Sequence, residues 1–138
     1  MDNYLRRVLL GTPIMALLDG VDTPLQLVHE DDVSAAVECI LLAEGRGPYN
    51  IAPPDWLTMS QIAALTDRRA WRLSFRLARW LAGLAWFVRF PLHEYPPGFL
   101  YFVRFPWIAA PARLEEELGF HFQYSTQATL ASVTKPPA

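Results

Sequence analysis

One cysteine, Cys39, and three histidines, His29, His93 and His121, are the only thiol and imidazole groups in this 138-residue chain. A lone cysteine excludes an internal disulfide and a zinc site built on several thiolates, and it fits a reducing compartment. No two histidines stand at ligand spacing, so a metal centre is not expected. Ser34 and Ser60 fall in expected helices without a nucleophile-elbow pattern, which leaves hydrolase chemistry without support. Charge is also scarce, at 19% of residues, and the net charge of −2 gives no electrostatic argument for nucleic acid. The opening "MDNYLRRVLL" has arginines but no apolar core of signal-peptide length after them, so a cytoplasmic location is expected.

Hydrophobic residues make up 52% of the chain, with twelve prolines, five tryptophans and eight phenylalanines. That amount suits one folded domain over 1–138, irregular in outline, with much apolar surface to hide. The charges are segregated. From Asp19 to Asp55 there are eight acids and one basic residue, Arg46; from Arg68 to Arg104 there are seven arginines and one acid, Glu94. One acidic end and one basic end of the fold are expected.

Local signals give an order of elements. Asp2 to Leu10 reads as a short helix ended by Gly11, "TPIMALLDG" as a brief apolar strand between turns, and Leu25 to Val28 as a short strand. After Asp31 or Asp32, the residues Val33, Ala36, Val37, Ile40 and Leu41 share one side of a helix that Gly45 and Gly47 stop. Pro48 to Ile51 reads as a further strand. "TMSQ" is a capping box that opens a helix at Thr58, with Gln61 three residues on and an apolar face of Met59, Ile62, Ala63 and Leu65. Between Ser74 and Phe90, Leu77, Trp80, Leu81, Leu84 and Val88 form one apolar stripe, with Arg72, Arg76 and Arg79 on another face and Pro91 as the stop. A short helix is expected after Pro97. "PARLEEELGF" carries Pro111 in its first turn and Gly119 as its C-terminal stop, Ser125 caps a last helix, and 135–138 is a disordered tail.

His29 beside Asp31 and Asp32 has the composition of an acid/base pair, since a neighbouring carboxylate raises an imidazole pKa and fixes its tautomer. Carboxylates in a first helical turn also satisfy free N–H groups and complement the helix dipole. Capping is the reading favoured for the acids, with His29 a structural residue or pocket wall. The arginine-rich aromatic helix expected over 71–90 reads as a solvated face, an anion or partner contact, or an anionic membrane contact, in that order. It is too short and too charged to span a bilayer.

"LQLVHEDDVSAAVECIL", then "GPYNIA", the "LTMSQIAAL" helix and "RLEEELGF" followed by "YS" resemble, in that order, the C-terminal portion of the extended short-chain dehydrogenases, the NAD-dependent epimerase/dehydratase family. The resemblance runs over nearly the whole chain. It implies an α+β fold, mainly helical with a few short strands, that forms the substrate-binding side of a larger enzyme. The family's Rossmann half carries a glycine-rich dinucleotide loop and a Tyr-x-x-x-Lys dyad. Neither is here: the seven glycines form no such run, and the sole lysine, Lys135, has Ala131 four residues before it.

The resemblance therefore implies NAD or NADP for the full-length family, no cofactor bound by this chain alone, and no catalysis by it alone. A separate Rossmann-type chain or domain and a small-molecule substrate are the implied partners; nucleic acid and membrane are not expected. Where sugar-nucleotide epimerases of the family commonly have an Arg-Asp pair before the histidine, this chain has Leu25 and Gln26, which favours a less charged substrate. Gln26, His29 and Arg104 are the expected substrate-pocket residues. The alternatives are a non-enzymatic module that uses the arginine-rich helix on a partner or membrane surface, and a truncated relic.

Overall fold

The computed structural model describes residues 14–88 and 97–134. The helix expected over Asp2 to Leu10, the Pro91 stop and the 135–138 tail lie outside these. The fold is a small α+β arrangement, mainly helical, with two short two-stranded sheets. It divides into two compact units, each built from two stretches of chain: the described residues up to Pro24 with Thr58–Trp107, and Leu25–Leu57 with the described residues from Ile108 onward.

The first unit is organised by strands β1 (Ile14–Leu18) and β4 (Arg69–Leu73), which pair in parallel with Ile14 opposite Arg69 and Leu18 opposite Leu73. Met15, Leu17 and Leu18 are all buried, so β1 is covered on both faces, the usual state of a strand in a parallel sheet. Side chains alternate along a strand, which places Ala16 and Leu18 on one face and Met15 and Leu17 on the other. The Leu18 face packs with Phe75 and Ala78 of helix α3 (Phe75–Phe87) and with Leu100 and Val103 of α4 (Leu100–Arg104), a helix introduced by a 3-10 turn at Pro97–Phe99. Helix α2 (Met59–Leu65) packs against both strands and buries Ile62 and Ala63. Strand β4 is exposed at Arg69 to Arg72 and half-buried only at Leu73. Charged side chains along such a strand deter pairing with another chain.

The capping box expected at Thr58 is present in full: the Thr58 hydroxyl accepts from the Gln61 N–H, and the Gln61 side chain accepts from the Thr58 N–H at 2.8 Å. Ser74 caps α3 by accepting from the Leu77 N–H. The helix expected over 71–90 thus begins at Phe75, because Arg69–Leu73 is used as a strand. Pairing with β1 is a non-local gain that no periodicity in "RAWRL" announces. The stripe Leu77, Trp80, Leu81, Leu84 and Val88 is a single face, as expected, but it points outward. The buried side of α3 is Phe75, Ala78 and Ala82, of which Phe75 and Ala78 pack with Leu18 of β1.

Two aspartates fix the corners of this unit. Asp19 ends β1 in the left-handed region, φ 54°, a conformation that Asp tolerates better than most residues. Its N–H donates to the Leu73 carbonyl (2.9 Å), its carboxylate accepts from the Phe75 N–H (2.8 Å), and the same carboxylate pairs with Arg104 at 3.1 Å. The guanidinium of Arg104 also lies over the Phe75 ring, 4.5 Å from its centre. Asp22 accepts from the Ser60 N–H (2.9 Å) and from the Ser60 hydroxyl, at the start of α2.

In the second unit, helix α1 (Glu30–Leu42) starts one or two residues before the expected Asp31 or Asp32. Of its expected apolar face only Ala36 is fully buried; Val37 and Leu41 are exposed, and Val33 and Ile40 are half-buried. The chain leaves the helix through Ala43 and Glu44, the latter in the left-handed region, ahead of the expected glycine stops. Helices α5 (Ala112–Leu118) and α6 (Thr126–Thr134) complete the unit and bury Leu114 and Leu130; Leu27, Ala52 and Leu57 are buried as well. Gly119 ends α5 in the left-handed region with its N–H donating to the Glu115 carbonyl. Ser125 caps α6, its hydroxyl accepting from the Ala128 N–H.

Two expected strands differ. That at Leu25 to Val28 shrinks to β2 (Pro24–Leu25), which pairs with β3 (Leu57–Thr58). Beyond Leu25, the Leu27 N–H is directed to the Thr126 hydroxyl instead of a neighbouring strand. Pro48 to Ile51 forms no strand; the Pro48 carbonyl accepts from Arg113, and the Asn50 side chain donates to the Ala110 carbonyl.

Replacing Asp19 with Ala removes the acceptor at the α3 N-terminus and puts a less tolerant residue at positive φ. A loss of roughly 1–3 kcal/mol is expected, read from the urea midpoint and from faster exchange of the Phe75 amide. Asp22 carries a pH dependence. Burial pushes its carboxyl up, but the Ser60 hydroxyl, the Ser60 N–H and the Thr58 hydroxyl together outweigh this and hold it below its ordinary 3.8. A carboxyl lower in the folded state stabilises above the unfolded value and stops doing so as the pH falls through the folded one. Asp22→Asn should therefore match wild type more closely below pH 3.8 than at neutral pH, measured by thermal melting across that range.

Candidate functional site

The junction between Leu25 and Asp32 is the candidate site, and the side-chain hydrogen bonds of Gln26, His29, Asp31 and Asp32 described below lie within the second unit. Gln26 is a bridge between strands of chain far apart in sequence. Its Oε1 accepts from the Ala109 N–H (2.9 Å), and its Nε2 donates to the carbonyls of Ala109 (3.1 Å) and Pro53. A side-chain amide that satisfies both backbone groups of one residue replaces a strand partner, and this is the role the structure gives Gln26.

His29 is the N-cap of α1. Its Nδ1 accepts from the Asp31 N–H at 3.2 Å, and the backbone is extended, as an N-cap requires. The expectation that acids would do the capping is corrected here: the imidazole takes that place, and Asp31 and Asp32 are freed for other partners. The ring stacks on Tyr124 with centroids 3.9 Å apart and planes 16° from parallel. The Asp31 carboxylate is also 3.4 Å from Nδ1. One nitrogen cannot accept from the Asp31 N–H and donate to its carboxylate at the same time, so the capped arrangement is that of a neutral imidazole with its proton on Nε2.

Asp32 is 1% exposed and accepts two backbone N–H groups, from Gln123 (2.9 Å) and Tyr124 (3.1 Å). Asp55 does the same one step further on: both carboxylate oxygens accept from the Thr126 N–H, and its carbonyl accepts from the Thr126 hydroxyl. Between them these two aspartates hold the 123–126 turn that places Tyr124 against His29. The Tyr124 hydroxyl donates to Asp31 at 3.3 Å. The negative charge of Asp31, and then this hydrogen bond, raise the phenol's pKa above its ordinary 10.0. A phenol shifted upward is a poorer source of a proton and is not poised as a base near neutrality.

Arg113 was not singled out by the sequence, although its spacing from Glu117 is that of a helical pair. It donates to the Arg46 carbonyl (2.8 Å), the Pro48 carbonyl (3.0 Å) and Glu117 (2.8 Å), and stacks over Tyr49, whose hydroxyl donates to Glu117 (3.1 Å). The hydrogen bond from Arg113 holds the Glu117 carboxyl below its ordinary value. Gly47 makes this approach possible: it has φ 90°, and a Cβ there would lie 2.9 Å from an Arg113 nitrogen.

Of the three expected pocket residues, Gln26 and His29 thus belong to the second unit and Arg104 to the first, and the side chains of all three are engaged within their own unit. The open groove beside α1, about 500 Å3, is lined by Ala35, Glu38, Cys39, Leu42 and Ala43, and none of the three borders it. Among the described residues there is no group of His, Cys, Asp and Glu that could hold a metal ion. The arrangement around His29 shapes a surface through hydrogen bonds and stacking.

Asp32→Ala removes a buried carboxylate and leaves the Gln123 and Tyr124 N–H groups without their acceptor, so a loss of about 1–3 kcal/mol is expected in chemical denaturation. Asp32→Asn should recover part of it, since one carbonyl oxygen remains. A fall in protection of the Gln123 and Tyr124 amides in hydrogen exchange would place the damage at that turn.

No family model matches this chain, no curated protein matches it, and no solved structure matches it.

Proposed function

We propose that the chain is the substrate-side, C-terminal portion of an extended short-chain dehydrogenase of the NAD-dependent epimerase/dehydratase type, inactive alone and completed by a Rossmann-type chain or domain. The observation that carries this reading is the parallel pair β1–β4. Parallel strands occur in sheets sandwiched between helices, and two of them alone bury little. Here α2 packs on the pair, α3 and α4 cover the Leu18 face, and β1 has the double-sided burial of an interior strand. Arginines stand along β4, whereas among the described residues no strand occupies the second edge of β1. A sheet that continues past β1 would suit both strands.

The order of motifs supports the same reading. The chain passes from a short strand through His29 into α1, then through Tyr49 and Asn50 into the Thr58 helix, and ends with the Leu118-Gly119-Phe120 stop and the 123–126 turn. In a complete enzyme the His29 junction would border the substrate, and NAD or NADP would be held by the missing half. Leu25 and Gln26 in place of a charged pair favour a substrate without a nucleotide phosphate. The cytoplasm is the compartment that the single cysteine suits.

Two measurements test the proposal. Calorimetric titration of the purified chain with NAD and NADP should give no heat of binding; micromolar affinity for either would sink the reading. Translation of the DNA immediately upstream should reveal a glycine-rich βαβ pattern and a Tyr-x-x-x-Lys dyad, and that segment, expressed together with this chain, should copurify with it and bind the dinucleotide. An unrelated upstream gene would point instead to an independent module or a relic.

A further inference from the structure

The outward side of α3 is built the wrong way round for a helix that meets only water. It buries Phe75, Ala78 and Ala82 and exposes Leu77, Trp80, Leu81, Leu84, Phe87 and Val88, with Trp80 at 64% and Phe87 at 84% exposure. At 100° per residue these six occupy one continuous arc of the helix. Arg76 and Arg79 lie along one margin of that arc, both exposed, and Arg69 and Arg72 are exposed on the adjoining strand β4. From Arg68 to Val88 the sequence has five arginines and no acid. Helix α4, packed beside α3, adds the half-exposed Tyr101, whose hydroxyl accepts from Arg79 at 3.5 Å, and Phe105 follows it.

Two properties of this face identify its occupant. The arc contains no hydrogen-bonding side chain apart from the Trp80 indole N–H, so it offers no directional polar contacts to a folded partner. Its basic margin has no acid on the same elements, so the occupant should bring negative charge. Aliphatic and aromatic side chains flanked by arginines match the boundary of an anionic bilayer, where indole rings sit at headgroup level and guanidinium groups reach lipid phosphates and carboxylates. No described helix is long and apolar enough to cross a membrane; the contact is one of lying on the surface.

We propose that the outward face of α3 binds an anionic lipid surface, with Trp80, Leu84 and Phe87 entering the headgroup region and Arg76 and Arg79 contacting lipid anions. This does not rest on the dehydrogenase reading, since it uses only exposure and charge within the first unit.

The test is sedimentation of the full chain with vesicles of phosphatidylcholine, alone or with roughly 30 mol% phosphatidylserine, at low salt and at about 0.5 M salt, where charges are screened within a few Å. The chain should bind the phosphatidylserine vesicles and not the neutral ones, and lose most of that binding in high salt. Leu84→Glu should abolish binding. Arg76→Gln with Arg79→Gln should weaken it roughly 30-fold, from about a factor of five for each basic residue at an anionic surface. All three positions are exposed, so melting temperatures should stay close to wild type; should Leu84→Glu fail to fold, the arginine pair alone decides. Absence of binding, equal binding to neutral vesicles, or an unchanged arginine variant would overturn the proposal. So would a discrete dimer in light scattering that Leu84→Glu dissociates, an outcome that assigns the face to a second copy of the chain.

Discussion

Aspartates that accept backbone N–H groups from distant segments are the constraint on which both units depend. Asp19 accepts from Phe75, Asp22 from Ser60, Asp32 from Gln123 and Tyr124, and Asp55 from Thr126. Three of these receive N–H groups from the first turn of a helix, where the backbone has no intrahelical partner and the helix dipole favours negative charge. The bonds of those three each stabilise a helix start and at the same time join parts of the chain 38 to 71 residues apart; those of Asp32 close a turn 91 and 92 residues away. Four of the eight acids from Asp19 to Asp55 accept backbone N–H groups, each within its own unit, whereas several of the later arginines remain on the surface.

The candidate site obeys the same logic. Its histidine, amide and carboxylates have the inventory of an active site, yet His29, Gln26 and Asp32 hold a helix end, a loop and a turn. His29 serves as cap and stacking surface, Gln26 as a substitute strand, and Asp32 as the buried acceptor for the 123–126 turn. Such a cluster gives a rigid wall.

The features legible from sequence were the local ones. The Thr58 capping box, the Ser125 cap, the Gly119 stop and the short helix after Pro97 depend on residues within one turn of each other, and all are present. The strand at Arg69–Leu73 was hidden because it is exposed and arginine-rich, and becomes a strand only through β1, whose register begins 55 residues earlier in the chain with Ile14 opposite Arg69. Pro48 to Ile51 has strand-forming residues, but Arg113 and Ala110 engage its polar groups first.

For α3, periodicity alone determined that Leu77, Trp80, Leu81, Leu84 and Val88 share a face, since that follows from 3.6 residues per turn. Only the tertiary structure decided that the face points outward, because Phe75 and Ala78 on the other side are the residues that pack with Leu18, Leu100 and Val103. Likewise, the sequence by itself determined that a helix begins near His29 and that carboxylates cluster there. Which carboxylate is buried, and that an imidazole and not an acid caps the helix, was decided by Gln123 and Tyr124. Residues ninety positions away supply the N–H groups that a buried Asp32 must satisfy, and no local pattern encodes that need.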